Sequence, residues 1–397
     1  MRKFIEKRPF ATFAILLFLL TLLFMETALF PSAGWVVGSH DTRGLFVPWL
    51  EFAREAVWNG RLPLWDASLF SGYPFLSNPQ VALFYPPTWL ALILPVNLGI
   101  SWYLVLHIWL AGTGMYLFVR SLGGARVGAT LGGLAFAFSG YMAARIYAGH
   151  IGLLATNSWL PWLLLATVWS VRRKTWWSAV LMAVPFALSI LAGHTTSLIY
   201  VGLLWGLFAL YLILAEKERG LLVLRQLLIA GLVGLGLSAV QLLPLLQFVM
   251  NASRTTAATY EFATAYSFPP AHLITFLVPE FFGEPTRAGT WSVPNFEEMT
   301  YYVGILPLLA LLLALKRPSR PVYFWLGMMV LGLLLALGSY GFFYKLVYDL
   351  IPVFRLTRAP ARAAYITVFA ASVILGLALK RSDDDAEKVT NALRWLV

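Results

Sequence analysis

Long apolar runs separated by short polar breaks make up most of the chain. A membrane-crossing helix needs about 20 mostly apolar residues. Runs of that kind fall at roughly 10–30, 98–119, 127–143, 151–171, 176–193, 196–215, 225–248, 301–315, 321–338 and 361–379, so about ten spans are expected. Two further apolar stretches, 81–95 and 340–354, are short and broken by Pro86-Pro87 or Pro352, which predicts re-entrant or interfacial segments. A different pattern marks the residues after the first run. Leu45, Trp49, Phe52, Ala53, Ala56 and Val57 share one helical face, while Glu51, Arg54, Glu55 and Asn59 lie opposite. That spacing predicts an amphipathic helix lying flat in the membrane interface. Two long stretches lack any spanning pattern, about 31–80 and 249–299, and loops of such length usually carry function.

Composition agrees with this all-α polytopic membrane fold. Of the 397 residues, 60% are hydrophobic and 12% charged, the latter about half the roughly 25% usual in soluble domains. A soluble interior could not absorb so much apolar sequence. The absence of cysteine excludes disulfides, thiolate metal sites, iron–sulfur clusters and a cysteine nucleophile.

A net charge of +11 would suit nucleic acid, but its distribution argues otherwise. The first apolar run follows Arg2, Lys3, Lys7 and Arg8. Its length and the lack of a small-residue cleavage site predict an uncleaved first helix with the N-terminus inside. Arg120 and Arg126, Arg172-Arg173-Lys174, Lys217 with Arg219 and Arg225, Lys316-Arg317 with Arg320, and Lys380-Arg381 then all fall on the cytoplasmic side, as the positive-inside rule requires. The whole excess charge is thereby cytoplasmic, and no nucleic-acid partner is expected. Both long non-spanning stretches lie outside. The expected division is a transmembrane domain over 1–380, followed at 381–397 by a cytoplasmic tail or the start of a further helix.

Candidate chemistry concentrates on the outer side. Gly38-Ser39-His40-Asp41-Thr42-Arg43 places a carboxylate beside an imidazole at the membrane surface, a pairing suited to acid–base work or metal binding. Capping of the next helix by Asp41 or Thr42 is an equally good reading. Trp65 and Tyr73, within a Gly-, Pro- and aromatic-rich stretch, suit either sugar stacking or an aromatic belt. His150 and His194 each follow a glycine at an expected outer helix end, and only His107 falls mid-span. Arg145, Arg355, Arg358 and Arg362 lie outside, where topology disfavours them. Forked guanidinium contacts to a phosphate give them a reason; pairing with Asp349, Glu280 or Glu284, or snorkelling, is the alternative. Glu280 is a candidate second carboxylate or simply a solvated loop residue, and Asn295-Phe296-Glu297-Glu298 follows later in the same stretch. The chain holds no close histidine spacing for zinc, no phosphate-binding glycine loop with lysine, no dinucleotide fingerprint and no HExxH. A nucleotide-sugar donor on the inner face is therefore disfavoured.

Taken in order, His40-Asp41, Pro48-Trp49, Asn59-Gly60-Arg61-Leu62-Pro63-Leu64-Trp65, Ser71-Gly72-Tyr73-Pro74, Asn78-Pro79-Gln80 and Tyr85-Pro86 form a recognisable series. Later come Ala148-Gly149-His150, Trp159-Leu160-Pro161-Trp162, Ala192-Gly193-His194, Tyr302-Val303-Gly304, and Ile351-Pro352-Val353-Phe354-Arg355 with Arg358-Ala359-Pro360-Ala361-Arg362. The series resembles the YfhO-type bacterial membrane proteins of the GT-C superfamily of glycosyltransferases, along nearly the whole chain. That resemblance implies a GT-C-like helical bundle in the bacterial cytoplasmic membrane. It implies sugar transfer from a polyprenyl-phosphate donor to a cell-envelope glycan, lipid or protein acceptor on the extracytoplasmic side. Asp41 would be the catalytic or metal-binding carboxylate, with His40 and Glu280 as further catalytic candidates. Arg145, His150, His194, Arg355, Arg358, Arg362, Trp65 and Tyr73 would bind substrate. A divalent metal at Asp41 is left open, and nothing in the sequence requires one. Family members are commonly longer. Two other readings stand beside this one: a non-catalytic truncated member, or a transporter or flippase for lipid-linked sugars. The latter would need polar midplane groups, for which His107 and Gln241 near Pro244 are the main candidates.

Overall fold

A computed structural model describes residues 8–215, 220–251, 259–286, 289–293, 295–316 and 319–379. The expected tail or further helix at 381–397 lies outside the described residues. Each apolar run folds as a helix or a pair of stacked helices. In chain order these are α1 (Pro9–Phe24), α2 (Val47–Trp58), α3 (Trp89–Ile93), α4 (Val96–Ser121), α5 (Arg126–Ala137), α6 (Gly140–Ala148), α7 (Ile151–Ser158), α8 (Leu160–Arg173) and α9 (Trp176–Leu191). There follow α10 (Thr195–Ala215), α11 (Gly220–Leu237), α12 (Ala239–Asn251), α13 (Tyr260–Thr264), α14 (Phe296–Met299), α15 (Ile305–Lys316), α16 (Arg320–Ala336), α17 (Phe342–Leu350) and α18 (Ala364–Ala378). The one sheet among the described residues is a two-stranded hairpin, Gly283–Glu284 against Gly289–Thr290.

Among the described residues six helical stretches are long and apolar enough to cross a membrane: Val96–Ser121, Arg126–Ala148, Ile151–Arg173, Thr195–Ala215, Gly220–Leu237 and Pro360–Ala378. The first, third and last of these form the centre, and 83% of Pro360–Ala378 is buried against 22% of Gly220–Leu237. A helix hydrophobic on every side is expected in just such a central place. The remaining four expected spans fold as shorter helices, α1, α9, α15 and α16, and the expected span 225–248 is divided between Gly220–Leu237 and the shorter α12. Among the described residues six stretches therefore qualify by length, against the ten expected.

The two proline-broken stretches are not spans. Residues 79–93 fold as short 3₁₀ turns and α3. They are pinned into the bundle by a buried chain in which Trp159 Nε1 donates to the Tyr85 hydroxyl (2.6 Å), Tyr85 meets His107 Nε2 (2.6 Å), and His107 Nδ1 meets the Tyr103 carbonyl (2.6 Å). His107 is thus occupied on both ring nitrogens. Gln241 reaches the Leu76 carbonyl at 3.3 Å. Stretch 340–354 becomes α17 and a 3₁₀ turn.

The amphipathic helix forms as α2, but its buried edge is Phe46, Leu50, Ala53 and Ala56, with Leu45 and Val57 turned outward. A π turn at Thr42–Phe46 precedes it. The buried edge of α2 packs near a second small apolar cluster of Ala53, Phe75, Val81, Leu83 and Leu92, and Trp58 Nε1 donates to the Leu92 carbonyl at 2.8 Å.

Candidate functional site

Two Gly-His corners organise the site. Gly149 ends α6 and Gly193 follows α9, both in the left-handed region (φ +81° and +86°). Each glycine is also a point of close approach. A Cβ on Gly149 would sit 2.2 Å from Thr42 Oγ1, and one on Gly193 would sit 1.8 Å from the Pro79 carbonyl oxygen. Both demands, positive φ and no side chain, are met by glycine alone. The 31–80 segment thereby lies against both corners, with its start on one and its end on the other.

At the first corner this contact brings Asp41 to His150, with Nε2 to Oδ2 at 3.2 Å. The Asp41 side chain is 43% exposed and His150 14%, so the pair opens outward from the Asp41 side. His150 Nδ1 is buried without a hydrogen-bond partner. His40 is exposed.

At the second corner His194 Nδ1 caps the start of α10. It lies 3.1 Å from the Ser197 amide, which donates to it, and 2.9 Å from the Ser197 hydroxyl. Nε2 faces Arg362 Nη1 at 3.3 Å. Behind Arg362 stands Glu298, only 2% exposed. Arg362 Nε donates to Glu298 Oε1 at 2.8 Å, and its Nη2 meets the same oxygen. On the far side, Arg145 Nη1 lies 3.0 Å from Glu298 Oε2, as an ion pair outside hydrogen-bond alignment. Arg145 is wholly buried, stacked over the Tyr141 ring at 4.8 Å, with its Nη2 donating to the Tyr301 hydroxyl at 3.2 Å. Burial alone would raise the Glu298 carboxyl, but Arg145 and Arg362 outweigh it and hold it well below the carboxylate range. Burial, with the Arg362 and His150 charges, pushes His194 well below its ordinary value. His150 is within electrostatic reach of both His194 and Glu298. The two corners thus hold a carboxylate–imidazole pair, half-exposed at Asp41, and an Arg–Glu–Arg triad whose Arg362 side chain is 19% exposed.

Glu298 is the residue that sequence reasoning passed over. It sits on α14, a single turn in the 259–302 segment. That turn is seated by Thr275 Oγ1 donating to the Met299 carbonyl (3.0 Å) and by the Gly140 amide donating to the Tyr302 carbonyl (2.7 Å). A signal did exist: buried arginines need a buried counter-charge, and Glu297-Glu298 immediately precede an apolar run. Expectation placed that charge on Asp349, Glu280 or Glu284 instead.

The other sequence candidates stand apart. Arg355 donates from Nε to the Tyr348 carbonyl (3.1 Å) and from Nη2 to the Asp349 carbonyl (3.0 Å), closing the end of α17. Arg358 is held between the Phe262 and Tyr266 rings, 5.0 Å from each, with its Nε buried and unpartnered. Glu280 is exposed on a turn. Trp65 is exposed and lies on Gly72, while Tyr73 meets Phe248 edge-on at 6.2 Å. The fifth histidine, His272, is stacked on Phe282 at 4.1 Å and meets the Ser292 hydroxyl at 2.7 Å. Among the described residues no three His, Asp or Glu side chains come together as a metal cluster. Asp41 and His150 alone supply two ligands, too few for a protein-built zinc site.

No family model and no curated protein matches the chain. Among solved structures it is similar to an Archaeoglobus fulgidus oligosaccharyltransferase, crystallised with an acceptor peptide containing an NVT sequon tethered to it by a disulfide bond. The TM-score is 0.51 and the identity 14%, and the match covers 100% of this chain and 51% of the other. At that identity the likeness is one of fold, that of a polytopic helical membrane protein. This chain spans about half the length of that structure.

Proposed function

We propose that the chain is a membrane glycosyltransferase of the GT-C kind, moving a sugar from a polyprenyl-phosphate donor to an acceptor on the extracytoplasmic face. The observation that supports this reading is that two Gly-His corners, both pressed by the 31–80 segment, carry an Asp41–His150 pair at one and an Arg362–His194 edge at the other. In the reaction, Asp41 takes the proton of an acceptor hydroxyl, and the oxygen attacks the anomeric carbon from the face opposite the phosphate. The bond from that carbon to the phosphate oxygen breaks, its electron pair leaves on the phosphate, and the anomeric configuration inverts. His150 orients Asp41 through the 3.2 Å contact. Arg362 and His194 meet the charge that develops on the leaving oxygen, the kind of stabilisation that pre-set donors supply most effectively.

The fold likeness to an oligosaccharyltransferase supports the class. Neither a nucleotide donor nor a nucleic-acid partner has support. The transporter reading draws less support, since His107 is engaged on both ring nitrogens within a buried network. The test is sugar transfer by the purified protein from a synthetic polyprenyl-phosphate sugar, with the wild type beside Asp41→Asn. Transfer lost only in the variant supports the proposal; equal transfer by both defeats the assignment of Asp41. A wild type that binds the donor and never transfers favours the non-catalytic reading.

A further inference from the structure

The second Gly-His corner carries more detail than the function above uses. Ser197 is the third residue of α10, and its amide is one of the helix-start donors with no partner inside the helix. His194 Nδ1 accepts from it. A neutral imidazole with its lone pair committed at Nδ1 holds its proton at Nε2. That Nε2–H then faces Arg362 Nη1 across 3.3 Å, donor against donor, with no protein acceptor between them. Nor is Arg362 free to turn away. Its Nε and Nη2 are both engaged on Glu298 Oε1, which fixes the plane of the guanidinium and leaves Nη1 pointing at His194. The Arg362 side chain keeps 19% of its surface exposed. Two fixed donors aimed at one gap define the place of a shared acceptor, and a negative oxygen suits a guanidinium best.

Resting on the transferase reading, we propose that His194 and Arg362 form a two-donor seat for one anionic oxygen of a lipid-borne phosphodiester, with His194 acting as a neutral Nε2–H donor. Ser197 sets the tautomer and Glu298 is the positioning residue that sets the guanidinium. The charged and titratable groups facing His194 are Arg362, His150, Glu298 and Arg145. Burial and the cations among them keep the imidazole uncharged, so the seat does not depend on imidazolium.

The test separates the two ring nitrogens. His194→Asn retains a short acceptor to cap Ser197 but places nothing at Nε2. His194→Gln places an amide N–H near the Nε2 position. The probe is farnesyl methyl phosphate, a monoanion throughout the neutral pH range that carries no transferable sugar, titrated onto the full chain in detergent. We expect His194→Asn to unfold thermally like the wild type yet bind about tenfold more weakly, the loss of one hydrogen bond to a charged group. His194→Gln should bind within about threefold of the wild type. Wild-type binding should be unchanged down to mildly acidic pH and resist displacement by phosphatidylglycerol at equal concentration.

Wild-type affinity in His194→Asn would overturn the seat, as would a failure of the wild type to bind the probe. Binding that strengthens as pH falls through 6.5, the ordinary histidine value, would identify imidazolium as the binder and overturn the neutral donor. Displacement by phosphatidylglycerol at parity would make it an ordinary headgroup contact. Because the probe cannot be a sugar donor, loss of transfer with this binding pattern intact would remove the transferase reading and leave the seat standing.

Discussion

The corners at Gly149-His150 and Gly193-His194 have the same local design and different surroundings. Each is a left-handed glycine pressed by the 31–80 segment, followed by a histidine at the start of a helix. At the first corner the segment contributes a carboxylate, and the imidazole is paired with Asp41 near solvent. At the second it contributes only a backbone carbonyl, and the imidazole is left to Ser197 and a guanidinium. On the proposed reading, one dipeptide serves a base at one place and a donor at the other. A histidine's role follows from what faces its two nitrogens, and those groups come from parts of the chain far away in sequence.

The largest break in this comparison is expected from Asp41→Asn. It should lower transfer by about 10²–10⁴-fold, the usual contribution of a positioned base, while leaving probe binding at the His194–Arg362 edge unchanged. Transfer rates and probe titration on the same preparation check this.

Next is Glu298→Ala, which leaves Arg145 and Arg362 buried against each other. Removing one partner from a buried pair costs about 3–5 kcal/mol, so thermal unfolding should fall sharply. The second corner should lose its register with it, read as lost probe binding. A variant as stable as the wild type would mean that the triad is not what holds the 259–302 segment.

Glycine replacement separates the corners more gently. Gly193→Ala puts a methyl group into the Pro79 carbonyl and Gly149→Ala puts one into Thr42. Each adds left-handed strain of about 1–3 kcal/mol before the overlap is counted. Gly193→Ala should disturb phosphodiester binding more, and Gly149→Ala should disturb transfer more. Equal effects on both readouts would show that the corners are not separable.

The smallest expected effect is that of pH on stability. His194 is held below its ordinary 6.5 and Glu298 below 4.5. For both, the unfolded chain binds a proton before the folded one does. Stability from His194 is therefore full above pH 6.5 and lost as pH falls below it. Glu298 adds a second loss below pH 4.5. Each group changes stability by at most about 1.4 kcal/mol per pH unit. Unfolding temperature measured from pH 8 downward should decline below 6.5, and His194→Gln should remove the first part of the decline. A decline unaltered by that variant would place the titrating group elsewhere.

Much of the helical layout was legible in the apolar runs, because a 60% hydrophobic chain with short polar breaks has few other ways to fold. The proline-broken stretches and the helix after Asp41 could be read the same way. Finer features could not. The buried edge of α2 is Leu50, Ala53 and Ala56, set by what packs against it and not by its apolar spacing alone. Phosphate chemistry suggested one role for Arg355, Arg358 and Arg362, yet the first caps a helix end, the second is held between aromatic rings, and the third grips a carboxylate while turning Nη1 to His194.

By itself the sequence determined that this is an all-helical membrane chain with its unusual charges gathered in a few segments, since hydrophobicity and spacing are local properties. Only the tertiary structure decided that Glu298 stands between Arg145 and Arg362, and that Asp41 meets His150 while His194 meets Arg362. Those pairings join residues more than 60 positions apart. The Asp41–His150 pairing rests on a glycine that lets Thr42 press against the bundle, and the Glu298 pairings rest on the seating of α14, contacts that no local pattern encodes.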